Sequence, residues 1–68
     1  MLDLIRDRSH DRARRKAADI EVNVLINRYG DAEAALVRCD QLIKRYDDPS
    51  KLRFLRLVRE RLVAIAAA

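Results

Sequence analysis

Apolar positions between Ala13 and Tyr29 recur at helical spacing, but they fall into two stripes rather than one. Ala18, Val22, Leu25, Ile26 and Tyr29 lie within about 100° of one another on a helix that advances roughly 100° per residue, which assigns this face to the core. Ala13, Ala17, Ile20 and Val24 form a second line, separated from the first by polar positions. Further on, Ala32, Ala35, Leu36, Cys39, Leu42, Ile43 and Tyr46 alternate three and four apart, the seam of an antiparallel helix pair. Val37 is the one sizeable residue off that seam. A third run places Leu55, Val58, Leu62 and Ile65 on an inner seam widened by Phe54 and Ala66, with Leu52, Leu57 and Val63 beside it. The pattern predicts an all-α fold with helices at about residues 3–29, 32–46 and 49–66.

The breaks between these runs are marked by one phrase used twice. Leu25-Ile26-Asn27-Arg28-Tyr29-Gly30-Asp31 returns seventeen positions later as Leu42-Ile43-Lys44-Arg45-Tyr46-Asp47-Asp48. In each copy an arginine in the last helical turn complements the C-terminal dipole. Gly30 or Asp47 follows the tyrosine, and both residue types tolerate the left-handed conformation in which helices stop. The last aspartate, Asp31 or Asp48, caps the next helix, and Pro49 fits the first helical position, where a missing N–H costs nothing. Upstream, the helix is expected from about Asp3, with Ser9 as a competing start signal.

Such short corners predict an antiparallel, up-down-up unit in one domain of 68 residues. Residues 1–12 then form a charged N-terminal extension of the first helix. That helix would be about 40 Å long against about 24–28 Å for the others, so it overhangs them. Leu4 and Ile5 lie on the overhang, and with the second stripe they imply a second subunit that completes a larger bundle. The expected interface comprises Leu4, Ile5, Ala13, Ala17, Ile20 and Val24, with Leu52 and Val63 from the third helix.

Composition strengthens this expectation. A chain this short builds a marginal core and usually needs a disulfide, a metal or self-association. Ten alanines inflate the apolar fraction, and the chain has one cysteine and one histidine. An internal disulfide is therefore excluded and a zinc site is not expected, so self-association remains. Met1 is followed by acids and arginines rather than a basic start and an apolar run, and no apolar stretch reaches the roughly 18 residues of a membrane span. A cytoplasmic protein without a cofactor is expected.

The net charge of +4 is concentrated at the start, where residues 1–16 carry six basic and three acidic side chains. Arg8, Arg12, Arg15 and Lys16 share one side of the first helix and could grip phosphates, so nucleic-acid binding is the alternative function. Asp3, Asp7 and Asp11 lower the potential there. Twelve of the fifteen basic residues are arginines, a bias that, with abundant alanine, a GC-rich genome also produces. Catalytic chemistry finds little support. Cys39 lies on an inner seam, where a thiol packs rather than reacts. His10 belongs to a charged helix, and Asp47 and Asp48 read as corner and cap. Gly30 alone makes no phosphate loop.

Tyr29-Gly30-Asp31-Ala32, then Asp47-Asp48, then the run from Leu55 to Ile65 resemble the outline of short, functionally uncharacterised bacterial three-helix proteins. In these an apolar helix ends in Tyr/His-Gly-Asp, and an Ala-rich second helix and an amphipathic third follow. The likeness covers about residues 22–65. Asp48-Pro49 and Phe54 stand where such proteins often carry Gly-Asp and Trp. The resemblance implies the fold and no activity. The expected function is therefore a small non-enzymatic interaction, adaptor or regulatory protein acting as a homodimer, with a further protein partner open and no membrane association.

Overall fold

A computed structural model of the protein describes the backbone of residues 2–68 and the side chains of residues 12–68. Three helices follow in order: α1 over Leu2–Tyr29, α2 over Ala32–Arg45 and α3 over Pro49–Ala67. The boundaries fall where the local chemistry puts them. Helix α1 passes through Ser9 without a break and closes at Gly30, whose φ of 104° only glycine adopts freely. The Gly30 N–H still reaches the Ile26 carbonyl at 2.8 Å, so the last turn is satisfied. One residue later, the Ala34 N–H donates to Asp31 Oδ1 at 2.8 Å, the N-cap bond of α2.

The second corner stops its helix differently from the first. Among the described residues only Gly30 has positive φ, so Asp47 does not adopt the left-handed conformation. Tyr46 ends α2 as an extended C-cap, with its N–H on the Leu42 carbonyl at 3.1 Å. Asp48 is extended too, at φ −67° and ψ 118°, because the ring of Pro49 excludes a helical residue before it. A corner of three non-helical residues has enough reach without the left-handed step. Asp48 accepts from the Ser50 N–H at 3.0 Å and starts α3 with Pro49 in its first turn.

The core is small. Ala18, Val22 and Leu25 of α1, Ala32, Ala35 and Cys39 of α2, and Leu55, Val58 and Leu62 of α3 are buried. Ile26, Leu36, Leu42, Ile43, Phe54 and Leu57 pack around them. Four of the nine buried side chains are alanine or cysteine, so the helices approach closely and little apolar area is removed from water. Ile65, expected on the inner seam, is 48% exposed. Helix α3 has 19 residues against 14 in α2, so its last turns run past the start of its neighbour and leave Ile65 uncovered.

Helix α3 also lies across α1 in a sense that an up-down-up bundle does not have. Arg61 reaches Asp19 at 2.6 Å, and Arg15 shares a cleft with Leu57, Glu60, Arg61 and Ala64. Glu21, further along α1, sits instead with Lys51, Phe54 and Leu55 near the start of α3. The C-terminal half of α3 thus points toward the N-terminal half of α1. Short corners fix which ends meet, and the side chains in contact set the crossing angle. With its 28 residues, α1 spans the long dimension of a molecule measuring 43 × 27 × 18 Å.

Candidate functional site

The outward side of α1 carries the feature that the core does not absorb. Ala13, Ala17, Ile20 and Val24 are all exposed, Ile20 at 56% and Val24 at 48%. At roughly 100° per residue this line is centred about 135° away from the Ala18–Val22–Leu25 face, and neither α2 nor α3 covers it. Burial of a large aliphatic side chain contributes about 1.5–3 kcal/mol, and here two such residues stand in water one turn apart. Arg14 and Glu21 flank the line on one edge, Lys16 and Asn23 on the other.

The remaining expected interface positions are dispersed. Val63 of α3 is 41% exposed, whereas Leu52 is half-buried near the second corner. Neither belongs to the α1 line. Leu4 and Ile5, like Arg8 and His10, lie outside the residues whose side chains are described. Val37 on α2 is exposed as well, as its place off the seam suggested.

Basic side chains gather along another edge of α1. Arg12, Arg15 and Lys16 are exposed. Arg15 is joined across a cleft of about 420 Å³ by Arg61. Arg61 was not among the expected site residues, because nothing in its own helix marks it. Its guanidinium is engaged by Asp19, and its Nε atom is buried without a hydrogen-bond partner among the described residues. Glu60 lines the same cleft and offsets part of the positive charge. A second cleft, of about 280 Å³, is mostly apolar and lies beside the second corner between Glu21, Leu42, Tyr46, Lys51, Phe54 and Leu55. There the Lys51 ammonium sits over the Tyr46 ring at 4.7 Å.

Cys39 is fully buried, and its thiol donates to the Leu55 carbonyl at 3.4 Å. Burial pushes its pKa up, Asp40 and Glu21 add to the effect, and Arg59 partly opposes it. Arg59 is itself paired with Asp40 at 2.7 Å. Such a thiol is the reverse of an activated nucleophile. Among the described residues, no group of three or more His, Cys, Asp or Glu side chains could hold a metal ion. Among them, too, no helix is long and apolar enough to cross a membrane.

No family model matches the chain, and neither a curated protein nor a solved structure matches it.

Proposed function

We propose that the protein is a small non-enzymatic interaction module of the cytoplasm that works as a homo-oligomer through the outward face of α1. One observation carries this reading: Ile20 and Val24 are exposed, in line with Ala13 and Ala17, on the side of α1 turned away from the core. The small core adds to it, since a domain of this size gains from apolar area that only another subunit supplies. The buried thiol of Cys39, with its raised pKa, gives no support to an enzymatic reading.

Size-exclusion chromatography with light scattering tests the proposal. The wild type is expected above the 7.9 kDa monomer mass at high micromolar concentration, and Ile20→Asp at that mass with unchanged helicity by circular dichroism. A wild-type protein that stays monomeric throughout that range overturns the reading.

A second reading, nucleic-acid binding, is favoured by the exposure of Arg12, Arg15 and Lys16 along one edge of α1, beside an Asp19 whose charge Arg61 neutralises. Arg12, Arg15 and Lys16, with Arg8 upstream, would contact phosphates. It predicts salt-dependent retention on DNA or RNA that Arg12→Glu with Arg15→Glu weakens. Failure to bind even at about 50 mM salt removes it.

A further inference from the structure

Resting on that reading of α1, we infer that two copies pair antiparallel along this helix, about a two-fold axis level with the peptide between Ala18 and Asp19. The exposed line runs Ala13, Ala17, Ile20, Val24, with steps of four, three and four residues. Those steps read the same from either end. A two-fold rotation therefore lays the line onto itself, as an isologous interface requires. In that register Ala13 faces Val24 of the second copy, and Ala17 faces Ile20 of the second copy.

Every layer then sets a small side chain against a large one. The two helices can approach to the close end of the usual 8–10 Å without overlap or void. A parallel pairing instead sets alanine against alanine at one end, and isoleucine and valine against themselves at the other. The helices would have to splay along four layers. The body of each subunit packs on another face of α1, where Ala18, Val22 and Leu25 are buried, and leaves the line uncovered.

Charge on the flanks suits a second copy of this chain. With the line taken as alternating d and a positions of a heptad, Arg14 and Glu21 occupy e, and Lys16 and Asn23 occupy g. Antiparallel helices bring e against e and g against g. Arg14 thus meets Glu21 of the second copy, and symmetry makes that contact twice. Lys16 meets Asn23 of the second copy. A parallel pair would use Lys16 and Glu21 instead, so the flanking charges fit either direction, and the order of small and large residues decides between them. The seam is about 16 Å long, so it is a small interface.

The choice of cation provides the test. Glu21→Arg is expected to raise the dimer dissociation constant about tenfold, the effect of turning two attractions into repulsions. In the antiparallel arrangement Arg14→Glu added to Glu21→Arg restores association and Lys16→Glu does not. Rescue by Lys16→Glu alone overturns the antiparallel pairing while leaving the homo-oligomer intact. An independent measurement uses Ala13→Cys and Val24→Cys, each combined with Cys39→Ala. The mixture is expected to form a disulfide between the two variants at least tenfold faster than either variant alone. Faster self-linking of each variant indicates parallel helices. A wild type that light scattering shows to be monomeric at high micromolar concentration removes both the pairing and the reading beneath it.

Discussion

At the scale of single residues, Cys39 shows how environment overrides type. A thiol is a nucleophile only as thiolate, and here burial disfavours the charged form. Its folded-state pKa lies above the unfolded one. Cys39 therefore contributes nothing adverse below roughly pH 8.5, the ordinary thiol value, and above it the unfolded state gains by ionising. Unfolding free energy is expected to fall as pH rises past that value, and Cys39→Ala should flatten this dependence, as urea titrations at pH 7 and pH 10 would show. A thiol reagent at neutral pH should label the native protein far more slowly than the urea-unfolded chain. Equal rates would mean that Cys39 is not buried. Gly30 is the other residue whose identity the backbone dictates, through its positive φ rather than through crowding, since nothing lies within 4 Å of where a Cβ would stand.

At the scale of elements, capping rather than propensity marks the boundaries. Asp31 and Asp48 each accept one N–H of the helix they start. Replacing such a cap by alanine costs about 0.5–2 kcal/mol. Asp48→Ala is expected at the lower end of that range, because Pro49 already fixes the first turn and removes one orphan donor. Asp31→Ala has no such help and should be the more damaging of the two in chemical denaturation. These signals were legible because caps are local: Gly30-Asp31 and Asp48-Pro49 announce their roles within a few residues. The conformation of Asp47 was less legible. Its likeness to Gly30 in the repeated phrase suggested a left-handed stop, whereas the helix ends at an extended Tyr46 and Pro49 holds Asp48 extended, so no left-handed residue is used there.

At the scale of the whole molecule, three helices bury nine of the described side chains and leave Ile20, Val24, Val37, Val63 and Ile65 exposed. If the α1 line is covered by a second copy, folding is linked to association, and the melting temperature depends on concentration. A tenfold increase in protein above the dissociation constant adds about 1.4 kcal/mol per dimer, or about 0.7 kcal/mol per chain. For a chain this short, that corresponds to a rise of roughly 3–6 °C. Differential scanning calorimetry over a concentration series should show this for the wild type and a flat line for Ile20→Asp. A flat line for both would mean that the exposed stripe is not used. The ion pairs Asp19–Arg61 and Asp40–Arg59 tie α3 to its neighbours, but they are partly or largely exposed and contribute at most about 1 kcal/mol each. They fix orientation more than they stabilise.

The number of helices, the corners and caps, and the split of α1 into a core face and an outward face were all determined by the sequence alone. These depend on periodicity and on neighbours within a turn, which any stretch of chain carries with it. The exposed line of Ala13, Ala17, Ile20 and Val24 was legible for the same reason, since it is a property of one helix. What only the tertiary structure decided is how the helices cross: that α3 runs toward the N-terminal half of α1, that Arg61 meets Asp19 beside Arg15, and that Ile65 overshoots α2. The crossing depends on side-chain volumes meeting from distant parts of the chain, where Ala18, Ala35 and Cys39 allow close approach. No local pattern encodes a contact between surfaces that exist only once all three helices are in place.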